Sequence, residues 1–133
     1  MPHSKDNSSF LQAHISEVSA DFSNAAETYD QNASVQKIMA DKLLEQVKKT
    51  KLAFFGTTLD LGSGTGYLAR IFRDYSSGGL TIPSDISLLS LLSQNSNTPI
   101  LSDFSKLPLK NNTIQNCISN AALQWSPDLT RSF

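Results

Sequence analysis

Three carboxylates and a run of glycines are the residues of this chain best placed to do chemistry. The stretch "LDLGSGTGYLAR" (Leu59 to Arg70) sets Asp60 just ahead of Gly62, Ser63, Gly64, Thr65 and Gly66. Glycine has no Cβ, so such a loop can lay its own N–H and C=O groups against a ligand where other residues would collide. Asp85 follows in "PSDIS" with Ile86 beside it, and Asp103 follows in "ILSDFSKLPL" with Phe104 beside it. Each acid stands where a short apolar run ends. In an open α/β sheet those are the strand tips at which ligands bind.

The spacing of the glycines sorts the ligands. A nucleoside-triphosphate loop needs a lysine and then Ser or Thr after its last glycine, whereas Tyr67 and Leu68 follow Gly66. A dinucleotide fingerprint needs its third glycine at the position of Tyr67; here it arrives one residue early, at Gly66. Plainer readings remain open. The loop could be a tight strand-to-helix turn, Asp85 or Ser87 a helix cap, and Asp103 a solvated turn residue. No Ser/His/Asp or Cys/His set accompanies the acids, so no catalytic side chain is assigned.

The elements that must position these groups read as an open α/β domain. Residues 1–15 look like a loose tail holding His3 and His14, and a short helix is expected from Glu17 to Tyr29. From Ala33 to Lys49, Val35, Ile38, Met39, Leu43, Leu44 and Val47 recur at three- and four-residue steps, which predicts a helix with that stripe inward. Asn32 or Ser34 could cap its start. Then come a buried strand (Thr57 to Leu61), a helix (Gly66 to Tyr75), a strand (Leu80 to Ser84) and a Leu-rich helix from Ser87 to about Asn95. Two more strands follow, Pro99 to Ser102 and Thr113 to Ser119. Ser126, Pro127 and Asp128 read as cap, first position and first turn of a last helix. Strands alternating with helices predict a parallel sheet with helices on both faces. Pro83 cannot donate within a sheet, so its strand should be short or end early. Cys117, inside the fourth strand, reads as a small buried hydrophobe.

Bulk properties exclude several classes. With 133 residues the chain suits one modest domain, and a net charge of −1 gives no basic field for nucleic acid. One cysteine forms no internal disulfide and no cysteine pair for zinc. No apolar run is long enough for a bilayer, and "MPHSKDNSSF" is not built like a secretion signal. The expected setting is the reducing cytoplasm, with no metal, nucleic acid or membrane partner.

The G-x-G-x-G loop after Asp60 resembles motif I of the class I S-adenosylmethionine-dependent methyltransferases. "FSNAAETYDQNASVQKIMADKLLEQV" (Phe22 to Val47) and "ISNAALQWSPDL" (Ile118 to Leu129) are similar to the corresponding parts of the malonyl-acyl-carrier-protein O-methyltransferases of biotin synthesis. Ser63 stands where that family usually has cysteine. The resemblance implies a Rossmann-like class I fold that binds S-adenosylmethionine and methylates the free carboxyl of malonyl-acyl-carrier-protein or malonyl-coenzyme A. It implies cofactor contacts from Tyr29, Asp60, Gly62, Ser63, Gly64, Gly66, Asp85, Ile86, Asp103, Phe104, Asn120 and Ala121. Asp60 would face the cationic end, Asp85 the ribose, and Asp103 with Phe104 the adenine. Tyr29 would close from an N-terminal lid. Gln124 and Trp125 are further pocket candidates. Residues 16–50 would be lid helices and 51–133 the cofactor-binding core. The resembled fold has seven strands against four here, and the chain stops at Phe133 as a helix begins. The expectation is an incomplete fold with little turnover and a fourth-strand edge open to self-association. A positive group should grip the substrate carboxylate; Arg70, Arg73 and Arg131 are the candidates in this chain, none is assigned, and the residue is expected in the part of the fold beyond it. A different small-molecule methyltransferase, a non-catalytic cofactor-binding module and a nicotinamide-binding domain stay as rivals.

Overall fold

A computed structural model describes residues 12–13, 15–17, 29–103 and 105–131. His3, His14, Phe104 and most of the expected Glu17 to Tyr29 helix lie outside them, as does the side chain of Tyr29. Four strands, β1 (Thr58–Leu61), β2 (Thr81–Asp85), β3 (Ile100–Leu101) and β4 (Asn116–Ser119), form one parallel sheet in the order β3-β2-β1-β4. Helix α1 (Tyr29–Thr50) precedes the sheet, α2 (Tyr67–Tyr75) joins β1 to β2, and α3 (Leu88–Leu92) joins β2 to β3. Two 3₁₀ turns, Leu123–Trp125 and Leu129–Arg131, follow β4. Among the described residues the β3-to-β4 connection carries turns and no helix.

Strand β1 is central in the sheet, and all four of its residues, Leu59 and Leu61 with Thr58 and Asp60, are buried. Ala40 of α1, Leu68 and Phe72 of α2, and Ile118 of β4 form the buried cluster, flanked by Leu43, Leu44 and Val47. Phe54 meets Phe72 edge to face at 5.2 Å, an arrangement that suits the ring quadrupoles. The C-terminal half of the α1 stripe therefore packs as its spacing predicts. The N-terminal half does not: Val35, Ile38 and Met39 are exposed, and Ala40 is the residue fully inside. The helix also starts at Tyr29, so Asn32 and Ser34 lie within it and not ahead of it.

Pro83 sits fully buried in the middle of a five-residue strand, contrary to the expected early end. The register explains its tolerance. The Leu80 and Ser84 carbonyls accept from Thr58 and Ser63 on the β1 side, while the Asp85 carbonyl accepts from Ser102 on the β3 side. Alternation along the strand aims the missing Pro83 donor toward β3, which begins pairing only at Ser84. No ladder bond is lost. Cys117 is exposed on the edge strand β4, correcting its reading as a buried residue. The last turn is capped one residue pair later than expected, Thr130 donating its N–H to Asp128 Oδ1 at 3.0 Å. No helix among the described residues is long and apolar enough to cross a membrane.

Phe72 is 1% exposed at the centre of this packing. Phe72→Ala should lower the unfolding free energy by about 3–5 kcal/mol, read by urea denaturation followed by far-UV circular dichroism. A loss below about 1 kcal/mol would mean that the α2 face is not the core.

Candidate functional site

The chain moves from β1 outward to β2 and β3, then returns to pair β4 on the other side of β1. This reversal makes a crevice at the carboxyl ends of β1 and β4, the place where open α/β sheets take ligands. An open-mouthed cleft lies there, about 1170 Å³ with the space at its mouth included. Its wall contains Asp60, Gly62, Ser63, Gly64, Asp85, Ile86, Asp103, Asn120 and Ala121. The structure thus brings together nine of the twelve residues singled out in the sequence. Gly66 lies in the neighbouring groove behind the loop; Phe104 and the side chain of Tyr29 are not described. Residues 12–13 and 15–17 are helical, earlier than the expected start at Glu17, and Ile15 reaches the cleft.

Gly62, Gly64 and Gly66 all take left-handed backbone, with φ of 66°, 54° and 82°. A Cβ on Gly66 would stand 2.5 Å from Gln94 Oε1 and would displace that side chain, so the positive φ is the firmer constraint there. Asp85 closes the loop from the sheet side. Its Oδ2 accepts from Gly64 N–H and its Oδ1 from Ser87 N–H, both at 2.8 Å. The cap reading of Asp85 is therefore fulfilled in part, while each oxygen keeps a second lone-pair site facing outward from these bonds. Ser87 in turn accepts from Ser90 N–H and caps α3. Asp103 is half-buried, and its Oδ1 accepts from both the N–H and the hydroxyl of Ser105. That is the turn role its sequence context suggests. After β4, Asn120 donates to the Gln36 carbonyl of α1 at 2.9 Å. Ala121 is held at φ 54°, and its carbonyl accepts from Gln124. A non-glycine residue in that region is uncommon outside constrained sites.

Asp60 is the unusual member. It is 1% exposed, and its Oδ2 has no hydrogen-bond partner. Burial pushes its carboxyl up to about 7; the backbone N–H of Ala69, in the first turn of α2, opposes the rise, and the charge of Asp85 adds to it. Two residues that sequence reasoning passed over also belong here. Gln94 reaches back from beyond α3 and donates Nε2 to Ser63 Oγ at 2.9 Å and to the Gly64 carbonyl. Lys37 is the one lysine or arginine among the described cleft residues, its Nζ 5.8 Å from the centre of the Tyr67 ring. No sequence signal distinguishes Lys37 from the other lysines of the same helix. Arg70 and Arg73 line the groove behind the loop and not the cleft, and the side chain of Arg131 is not described. Trp125 lines the cleft. Among the described residues no group of three or more His, Cys, Asp or Glu is placed to hold a metal ion.

Residues 59–133 match the family described as a methyltransferase domain. This chain belongs to that family. The methyltransferase domain has curated relatives along most of its length. A malonyl-[acyl-carrier protein] O-methyltransferase of Hamiltonella defensa is 32% identical over 114 residues, covering 84% of this chain and 43% of the relative. The enzyme of the same name from Pseudescherichia vulneris is 34% identical over 116 residues, 84% of this chain and 44% of the relative. The domain thus spans less than half the length of these relatives. Among solved structures, a candidate S-adenosyl-L-methionine-dependent methyltransferase from Methanococcus maripaludis superposes with a TM-score of 0.54 at 20% identity, over 76% of this chain and 48% of that one. At that identity the likeness establishes the fold, a Rossmann-like class I sheet.

The Asp60 carboxyl gives a pH dependence of known sign. Its folded value of about 7 lies above the ordinary 3.8, so the native state holds the proton more tightly than the unfolded chain. The stabilisation is full below about pH 4 and is lost as pH rises to about 7. Asp60→Asn should remove this fall, so that the variant gains on the parent between those limits in urea unfolding. Parallel pH profiles for the two proteins would sink the assignment.

Proposed function

We propose that this chain forms the cofactor-binding core of an S-adenosylmethionine-dependent methyltransferase. Its acceptor on this reading is the free carboxyl of a malonyl thioester, carried on acyl carrier protein or coenzyme A, in biotin synthesis. The observation that carries the reading is the orphaned Oδ2 of Asp60 in the cleft wall beside the glycine loop. A buried carboxyl oxygen without a partner is rare and needs a reason. A cationic ligand supplies one. Phosphate does not, because it would face Asp60 and Asp85 together.

The residues fit such a group. Bound S-adenosylmethionine would supply an electrophilic methyl on a sulfonium. Asp60 would balance its positive end, and the backbone of Gly62, Ser63, Gly64 and Gly66 would lie against the amino-acid part. Asn120 and Ala121 would add main-chain contacts from β4. Asp85, with Ile86 next to it, would accept from the ribose through its outward lone pairs, and Asp103 with Phe104 would meet the adenine. Helix α1, joined to the cleft through Gln36 and Asn120, would serve with Tyr29 as the lid. A malonyl carboxyl is ionised at neutral pH, so no side chain has to remove a proton. The work of the protein is alignment and exclusion of water. On this reading Lys37, the one lysine or arginine among the described cleft residues, would hold the acceptor carboxylate. A cytoplasmic setting and a β4 edge that pairs with another chain belong to the same reading.

Calorimetry tests both halves. Titrated with S-adenosylmethionine at about pH 7, the protein should bind saturably and release a fraction of a proton, seen as heat that changes with the ionisation enthalpy of the buffer. Absence of binding would refute the cofactor reading. With the cofactor analogue S-adenosylhomocysteine present, malonyl-coenzyme A should bind more tightly than acetyl-coenzyme A, which lacks the carboxylate. Lys37→Glu should erase that preference and leave the cofactor affinity unchanged. Equal affinities in the parent protein would remove the malonyl acceptor.

A further inference from the structure

We propose that Gln94 is a positioning residue, its amide holding the glycine loop in the shape that receives the amino-acid end of S-adenosylmethionine. The inference deepens the cofactor reading above and rests on it. The loop between β1 and α2 contains three left-handed glycines, and glycine loses more freedom on ordering than any other residue. A loop of this kind keeps one shape only if something outside it enforces that shape. From the sheet side, Ser84 O holds Ser63 N–H and Asp85 holds Gly64 N–H. Those bonds fix the donors on one side of the loop; the Ser63 and Gly66 carbonyls accept from Gly66 and Arg70 N–H, and the Gly64 carbonyl is left to be ordered from elsewhere.

Gln94 acts from that side. It follows Ser93 at the end of α3, where its own N–H donates to the Leu91 carbonyl at 3.1 Å, which anchors the side chain's root. Its Nε2 donates to the Ser63 hydroxyl and to the Gly64 carbonyl. Its Oε1 lies over Gly66, in the space a Cβ would fill. One side chain from the next βα unit therefore touches the loop at residues 63, 64 and 66. The chemistry requires an amide. The Gly64 carbonyl can only accept, so it needs a donor, and a carboxylate of the same shape would present oxygen to oxygen there, although the Ser63 hydroxyl could turn to donate to it. Ser63 and Gly64 also line the cleft, so the clamp transmits to the ligand side without entering it. Ordering the loop before the ligand arrives removes a cost that binding would otherwise carry.

Two ligands separate positioning from general support. S-adenosylhomocysteine carries the amino-acid end, whereas 5′-methylthioadenosine lacks it. Gln94→Ala should weaken the first about tenfold, the loss expected when about 1.4 kcal/mol of preorganisation goes, and change the second less than about twofold. Gln94→Glu should be no better than Gln94→Ala. The double variant with Ser63→Ala should lose less than the sum of its parts, since the two share one bond. In the ligand-free protein, hydrogen exchange of the amides at 62–66 should quicken in Gln94→Ala while those of β1 hold. Unchanged exchange and affinity in Gln94→Ala would overturn the clamp alone. Equal losses for both ligands would make Gln94 a general support and overturn it also. Failure of the parent protein to bind S-adenosylhomocysteine would overturn the cofactor reading and this inference together.

Discussion

A carboxyl group buried in a parallel sheet, with one oxygen left without a partner, is the most costly feature of this fold. Burial of an ionised group without compensation is strongly unfavourable, and such a group shifts its pKa before it tolerates the charge. Asp60 does so, to about 7. Its place in the sheet follows from register. It stands opposite Pro83 on one side and Ile118 on the other, on the level where α2 starts. The first-turn N–H of Ala69 gives it partial compensation, as helix N-termini do for acids. Nothing in the core requires an acid there. An apolar residue would serve packing better, so the cost is set against something outside the core, and Asp60 lines the cleft.

The glycine loop and the second acid depend on this arrangement. Asp60 is followed at once by the loop, whose three glycines take the left-handed backbone that the turn from β1 to α2 uses. Asp85 then has two duties that a single carboxylate can combine. Its inner lone pairs tie Gly64 of the first βα unit to Ser87 of the second, while its outer ones remain for a ligand. Structural and binding readings of Asp85 are thus not rivals. Fixing the loop with the same group that would meet a ribose couples the two ends of the cleft, and a change at one is felt at the other.

Much of the site could be read from residues alone, because its determinants are local. Glycine spacing, the acid before it and the acids at strand tips are short-range features, and the open α/β order follows from alternation of periods. The misreadings have one kind of cause, contacts made across long stretches of chain. Met39 belongs to an apolar stripe, yet it is exposed among the described residues, where Ala40, Leu43 and Leu44 make the apolar packing of α1. Pro83 looked disruptive until the register showed that β3 begins too late to need its donor. Cys117 read as buried because strand interiors usually are, but β4 is an edge. Gln94 lies 31 residues beyond the serine it holds, and no periodicity links them. Lys37 is one of several lysines on α1, and only the tertiary packing turns it toward the cleft.

Charge, more than shape, separates this cleft from its dinucleotide-binding cousins. Both kinds of site place a glycine-rich turn at a helix N-terminus, where exposed N–H groups favour anions. Here two of the N–H groups around the turn are already answered: Ala69 N–H faces Asp60, and Gly64 N–H faces Asp85. The two carboxyls are close enough for the charge of one to raise the pKa of the other. A pyrophosphate brought to the same turn would meet two acids and lose the donors that normally reward it. A cationic group would relieve Asp60 of its isolation and draw its proton away. Opposite responses to charge come from one substitution of roles, with side-chain oxygens taking the N–H groups that phosphate would otherwise use. The early third glycine, Gly66, starts the helix at left-handed backbone with the Gln94 amide beside it.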